Sequence, residues 1–288
     1  MTTLLNIVIL AFLLAGFTGP AVPADVSPRA ASADWRQLPV VPRMEGPVRK
    51  AFLDDLRDSK AVGMRSGVFA KVGDSNTEMS PALYGLGCRK AGLDGRRFLG
   101  ETVRRFSRQR VPNPRALSGC LAHNSFSRRS AAAQSATFSS WPVTRIAEMS
   151  ATGIGSAPPG CAATATPVSC EIQAIRPRFV IVMTGTNDLA LDQAQGVPIG
   201  SRTEVHIVQI VREIRKRGSV PVVSTIPPIV NSPDGEAGTY AINAAVAHAA
   251  VRTRTPLMNL WRALVDPGMR NRGISEDGLH LSVFPNQL

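Results

Sequence analysis

Apolar and polar positions fall into blocks that alternate along the chain. Arg178-Phe-Val-Ile-Val-Met-Thr-Gly185 is a continuous apolar run between turn signals, as expected of a strand covered on both faces. Val220 to Ile226, ended by Pro227-Pro228, and Leu257 to Trp261 read as two further strands. Between the first two runs, Ile207, Val208, Val211 and Ile214 share one helical face. Ser201-x-x-Glu204 reads as the capping box that opens this helix, and Gly218 as its stop. An Ala-rich helix is expected over Thr239 to Arg254. In the first half, Val48, Phe52 and Leu56 have helical spacing within Pro47 to Lys60, and Gly67 to Gly73 reads as a buried strand. A helix is expected around Phe98 to Arg108, and a long loop over Gly153 to Pro167. Strands alternating with helices predict βαβ units and a mostly parallel α/β sheet. There is no internal repeat.

The amino-terminal pattern is different. Leu4 to Phe17 is an almost unbroken apolar run, shorter than the roughly 20 residues of a membrane span. Small residues at Val22 and Ala24 suit cleavage after Ala24, so 1–24 reads as a signal peptide. No Lys or Arg precedes the run, which leaves a retained N-terminal membrane anchor as the alternative; no Cys follows it to carry a lipid. Residues 25–62 then form an arm and a helix, and 63–288 the main domain. The protein is expected to be exported, periplasmic or extracellular.

Export gives meaning to the four cysteines, since thiols pair in an oxidising compartment. Three connectivities are open to Cys88, Cys120, Cys161 and Cys170; Cys161–Cys170, closing a Pro/Ala/Thr-rich loop, with Cys88–Cys120, is the favoured set. A zinc site is the weaker reading, because no C-x2-C spacing occurs and no His neighbours a Cys pair. With 44% hydrophobic and 19% charged residues the composition is globular, not disordered or coiled-coil. The formal charge of +12 is uneven: eleven Lys/Arg face two acids, Asp94 and Glu101, between Arg89 and Arg129. An exported chain could meet anionic polysaccharide or an anionic envelope surface through that region. No helix-turn-helix, zinc-finger or RNA-binding signature accompanies it, so nucleic acid is set aside. The oligomeric state is not read from the sequence.

Three short segments stand where parallel α/β folds place their sites, just past strands or in loops. They are Gly73-Asp74-Ser75-Asn76-Thr77, Gly185-Thr186-Asn187-Asp188 and Asp277-Gly-Leu-His280. A serine hydroxyl becomes a useful nucleophile beside a base whose tautomer a carboxylate holds. His280 and Asp277 can be that base and carboxylate for Ser75. Asn187 can donate its amide to the oxyanion formed on attack at a carbonyl. Asp74 and Asp188 are expected to be structural, bonding loop N–H groups and nearby side chains. His206 and His248 fall within helices, and His123 has no nearby acid. There is no G-x-S-x-G elbow, phosphate-binding G-x-x-x-x-G-K-[ST] loop or H-E-x-x-H.

On these residues the chain resembles the SGNH (GDSL-type) hydrolase family. Gly73-Asp-Ser75 looks like its Gly-Asp-Ser block, Gly185-Thr-Asn-Asp188 like its Gly-x-Asn-Asp block, and Asp277-x-x-His280 like its last block, in the family's order. The resemblance implies a three-layer α/β/α sandwich of flavodoxin-like type and ester hydrolysis through an acyl-serine. It implies that the Ser75 backbone N–H shares the oxyanion hole, and it implies no metal or organic cofactor. Two departures follow. The family's second block supplies a Gly to the oxyanion hole, and its best counterpart here, Arg129-Ser-Ala-Ala-Ala-Gln-Ser135-Ala136, has none. The N–H of Ser135 or Ala136 would have to donate, with a side chain crowding the pocket. Relatives also continue past the last His into a helix on the sheet, whereas eight residues follow His280, so that helix is expected to be missing.

An exported esterase acting on short acyl or O-acetyl esters is the first reading. A catalytically impaired, carbohydrate-binding relative is the second. A polyanion binder driven by arginine is the third.

Overall fold

The computed structural model describes residues 34–79, 82–88, 97–116, 122–152, 155–266, 268 and 273–282. The expected signal peptide, Cys120, Gly153, the start of the Arg89–Arg129 stretch and residues 283–288 lie outside the described residues.

Strands β1 (Arg65–Gly73), β2 (Pro177–Met183), β3 (Val220–Ser224) and β4 (Leu257–Met258) form one parallel sheet in the order β1-β2-β3-β4. Ala133 bridges Gly73 in parallel on the free side of β1, with Gly73 N donating to Ala132 O and Gln134 N to Gly73 O. If that bridge is counted as a strand, the chain order across the sheet is 2-1-3-4-5, the flavodoxin-like order.

The described helices, in chain order, are α1 (Gly46–Ala61), α2 (Ser75–Glu78), α3 (Tyr84–Gly87), α4 (Gly100–Arg108), α5 (Ile146–Thr152), α6 (Pro167–Ile175), α7 (Asp188–Ala194), α8 (Ser201–Lys216), α9 (Pro233–Thr253) and α10 (Leu260–Val265). The period of two along the strands sorts them into layers. Val68, Ala70, Val72, Val180, Val182 and Val223 face one side, under α6, α8 and α9. Phe69, Ile181, Val220 and Val222 face the other, with Phe52 of α1, Phe106 of α4 and Ala263 of α10. The result is a three-layer α/β/α sandwich with a core on each face of the sheet. Phe69, Phe106 and Phe126 meet edge to face, and Phe52 stacks on Phe179.

Several ends differ from the pattern reading. Gly200, at φ +86°, is the N-cap of α8; Ser201 is its first residue and bonds Pro198 O, so no capping box forms there. The reciprocal box occurs instead at Thr166 and Ser169, opening α6 inside a stretch that borders the expected loop. Helix α9 starts at Pro233 rather than Thr239, because the Ser232 side chain caps Gly235 N. Strand β4 stops at Met258 because the Asn259 side chain caps α10 through Arg262 N.

Cys161 and Cys170 form a disulfide with Cα atoms 5.7 Å apart. Among the described residues no helix is long and apolar enough to cross a membrane.

Candidate active site

The three sequence blocks converge at the carboxyl ends of β1, β2 and β3. At the end of β1, a Cβ on Gly73 would overlap Met183 O and Thr77 Oγ1, so only glycine lets the two strand ends approach this closely. Thr77 Oγ1 closes the gap by donating to Met183 O at 2.8 Å. Asp74 caps α2, accepting Asn76 N at 3.1 Å on one oxygen and Thr186 N at 3.2 Å on the other. It thereby ties the first block to the second. Burial pushes its carboxyl up to about 6, against the pull of the Thr186 and Asn76 N–H groups, and the charge of Asp188 adds to the rise. Ser75 is the first residue of α2, where a backbone N–H has no carbonyl one turn back to bond.

The third block is the tip of a small hairpin. Ile274 bridges Leu281, Ser275 N donates to His280 O at 2.7 Å, and Gly278 turns the chain at φ +69°. The loop after β3 holds the tip: Val230 N donates to Gly278 O at 2.8 Å and Asn231 Nδ2 to Asp277 O at 3.0 Å. One oxygen of Asp277 accepts the N–H groups of Leu279 and His280, at 2.9 and 3.0 Å, and the Ser275 hydroxyl. The other accepts from His280 Nδ1 at 2.7 Å. The bonds from the His280 N–H, the Ser275 hydroxyl and the imidazole hold the Asp277 carboxyl well below the usual carboxylate range, although the group is half-exposed. An ionised Asp277 can only accept, so Nδ1 carries the proton and Nε2 is the free base. Ser75 Oγ lies 2.9 Å from that Nε2, across 205 residues of chain.

The oxyanion candidates separate. Asn187 does not cap α7 with its side chain. Its Nδ2 donates to Thr137 O at 2.8 Å, which spends one N–H and leaves the second without an acceptor among the described residues. Ser135 does not supply its N–H: both its N–H and its hydroxyl donate to one Glu78 oxygen, at 2.7 and 2.8 Å. Its neighbour Ala136 is exposed and takes φ +59°, the left-handed conformation that glycine adopts without cost. The Ala136 N–H has no acceptor among the described residues. Gly185, the glycine of the second strand-end block, also needs its freedom, at φ +118°.

Other side chains brace this constellation. Asp188, buried, accepts Ser139 N at 2.8 Å, the Ser139 hydroxyl, and Thr203 Oγ1 at 2.6 Å. Ser139 Oγ also meets His206 Nδ1 at 2.8 Å. Glu78 takes Arg129 as well as Ser135; burial works against its charge, but the Ser135 and Arg129 bonds outweigh this and hold it low. Arg128 is buried in a two-bond pair with Glu171, and Arg115 lies near Glu78. Three arginines of the basic stretch are thus internal braces. Asn76, Glu78, Ser139 and Asn231 carry the site's geometry without having been singled out from the sequence. Of these, only Asn76 lies inside a recognised block. No cluster of three His, Cys, Asp or Glu among the described residues is placed to hold a metal ion.

A parallel α/β/α sheet with this Ser–His–Asp relay at its carboxyl edge has the form of an ester-bond hydrolase. The chain belongs to the GDSL-like lipase/acylhydrolase family, whose model matches residues 72–284. Among solved structures it is similar to a lipase/acylhydrolase from Enterococcus faecalis, at 16% identity over 74% of this chain and 86% of that one, with a TM-score of 0.45. It is also similar to the psychrotrophic esterase EstA from Pseudoalteromonas sp., solved inhibited by monoethylphosphonate, at 14% identity over 75% and 88%, with a TM-score of 0.40. No curated protein matches the chain.

Proposed function

We propose that the protein is an exported serine esterase that hydrolyses short acyl or O-acetyl esters through an acyl-serine. The reading is carried by the continuous relay from Ser75 Oγ to His280 Nε2 and from His280 Nδ1 to Asp277, at 2.9 and 2.7 Å. Ser75 Oγ attacks the ester carbonyl while its proton passes to Nε2, and Asp277 stabilises the imidazolium. The N–H groups of Ser75 and Ala136 and the free N–H of Asn187 receive the oxyanion. On collapse the imidazolium protonates the departing alcohol, leaving the acyl group on Ser75. Water then attacks that ester, giving its proton to Nε2, and the acid departs as Ser75 recovers its hydrogen.

The polar groups at the site, the Ser275 hydroxyl on Asp277 and the Asn187 amide, suit a short acyl chain and a hydroxylated alcohol better than a long lipid. The Cys161–Cys170 disulfide supports an oxidising compartment and so export. The impaired-binder alternative rests on the missing glycine and on the short carboxyl terminus; the left-handed φ of Ala136 speaks against the first of these.

The test is labelling by a serine-directed phosphonate together with p-nitrophenyl acetate turnover. Wild type should label and turn over, and Ser75→Ala should do neither. Equal labelling of the two proteins would overturn the nucleophile, and a wild type that turns over no ester would favour the binder.

A further inference from the structure

Four arginines stand at the opposite end of the sheet from Ser75. Arg65 is the first residue of β1, and Arg178 the second of β2; Arg176 caps α6 just before β2, and Arg105 lies in the last turn of α4. Each guanidinium bonds backbone carbonyls at this end. Arg65 reaches Arg110 O at 2.8 Å, Arg176 Val62 O at 2.7 Å, Arg178 Met64 O at 3.4 Å and Arg105 Ser66 O at 3.5 Å. Among the described residues no carboxylate lies within ion-pair distance of these four, whereas Arg115, Arg128, Arg129 and Arg215 all have one. Basic residues at helix ends offset the helix dipole, which accounts for Arg105 and Arg176 but not for Arg65 and Arg178 on strands. Burial, and then the nearby charge of Arg105, lower Arg178 below its ordinary value.

We propose that this end of the sheet is a docking surface for a carboxylated polysaccharide. Arg65 opens β1 and Arg178 lies near the start of the neighbouring β2, strands about 4.8 Å apart, so these arginines share one end of the sheet. Carbonyl bonds hold the planar forks in place, and a guanidinium pairs bidentately with carboxylate. A polymer bearing a carboxylate on each sugar offers several such partners at once to arginines grouped at one end of the sheet. A lipid bilayer is the less fitting partner, because among the described residues Val62 is the exposed large apolar side chain beside these arginines. With nine residues in β1 at about 3.3 Å each, the surface lies about 25 Å from Ser75. It would hold the protein on the polymer without occupying the reaction site, and it does not depend on the proposed catalysis.

The test is binding of the mature protein to polygalacturonate, with neutral dextran and phosphatidylglycerol vesicles as comparisons, at low and high salt. Polygalacturonate should bind with an affinity that falls steeply with salt, as counterion release requires. The variant Arg65→Gln/Arg105→Gln/Arg176→Gln should bind at least about tenfold more weakly at low salt, with a shallower salt dependence. Its p-nitrophenyl acetate turnover should be unchanged. Arg105→Gln alone, which removes only a 3.5 Å bond, should show a smaller loss in the same direction and guards against misfolding of the triple variant. Unchanged binding by both variants, binding to vesicles but not polygalacturonate, or binding to neither would each overturn the proposal.

Discussion

Asn76 brackets His280: its Oδ1 accepts Leu281 N at 2.8 Å and its Nδ2 donates to Leu279 O at 3.3 Å. The residue that follows Ser75 thus grips the chain on either side of His280. The hairpin tip is otherwise half-exposed, so this amide fixes the distance from His280 Nε2 to Ser75 Oγ. Asn76→Ala should lower kcat of ester hydrolysis about tenfold or more, the scale expected when a base loses its position, with KM changed much less. Asn76→Asp, which keeps the acceptor for Leu281 N and loses the donor, should fall between. An Asn76→Ala enzyme with full kcat would show that the loop after β3 alone places the base.

Ala136 makes a second prediction. A non-glycine residue at φ +59° costs about 1 kcal/mol, so Ala136→Gly should raise the free energy of unfolding by up to that amount, less the entropy glycine adds to the unfolded chain. Turnover should be retained or increased. Ala136→Val, whose branched Cβ resists the left-handed region, should lose both stability and kcat. Denaturant unfolding and p-nitrophenyl acetate kinetics on the pair decide it, and a stable, fully active Ala136→Val would remove Ala136 from the oxyanion hole.

Much of the fold was legible because burial on both faces of a parallel strand leaves a continuous apolar run, as in Phe179–Met183, and helix faces keep their spacing, as in Ile207–Ile214. The blocks were legible because chemistry and backbone both restrict them: Gly73 has no room for a Cβ, and Asp74 must cap α2. What the sequence hides are pairings with no period. Nothing local distinguishes Ser135, whose N–H is claimed by Glu78, from Ala136, whose N–H is not. Arg128 and Arg129 look like part of a charged surface until Glu171 and Glu78, some 40 to 50 positions away, are folded against them. Ser201-x-x-Glu204 fails as a cap for a similar reason, since Glu204 turns outward to Arg252 at 2.9 Å.

Lys71 sets a pH dependence of stability. It is buried on β1, donates to Phe126 O at 2.9 Å and Ala82 O at 3.3 Å, and lies 4.1 Å from the centre of the Tyr84 ring. Burial lowers it to about 7, with Glu171 opposing the shift. A folded value below the unfolded one means the unfolded chain binds more protons between the two. The stability from this group is therefore complete above about pH 10 and is lost as pH falls through about 7. The free energy of unfolding should rise by on the order of 2 kcal/mol between pH 7 and pH 9.5, with the cation–ring contact reducing the full linkage value. Lys71→Met should remove that rise, while costing about 1–3 kcal/mol at high pH because two buried carbonyls lose their donor. Chemical denaturation of both proteins across this range measures the difference, and parallel curves would show that Lys71 does not titrate there.

The Asn187 side of the site includes a hydroxyl shared by two partners. Ser139 Oγ contacts both the Asp188 carboxylate and His206 Nδ1. The carboxylate can only accept, so the hydroxyl hydrogen points to Asp188 and His206 Nδ1–H donates to Ser139. Burial lowers the His206 imidazole, against the pull of Asp188, so it is neutral at pH 7 with its hydrogen on Nδ1. Ser139 stands two residues past Thr137, whose carbonyl holds the Asn187 amide at 2.8 Å, and three past Ala136. Losing the His206 bond should therefore reach the chemistry through the aim of Asn187 and Ala136 rather than through substrate binding. His206→Leu should lower kcat about fivefold, the worth of one hydrogen bond of roughly 1 kcal/mol, with KM nearly constant. His206→Asn, whose amide can donate from nearly the position of Nδ1, should recover most of that loss. A purely structural role would instead lower the unfolding midpoint of both variants and leave kcat at a permissive temperature unchanged.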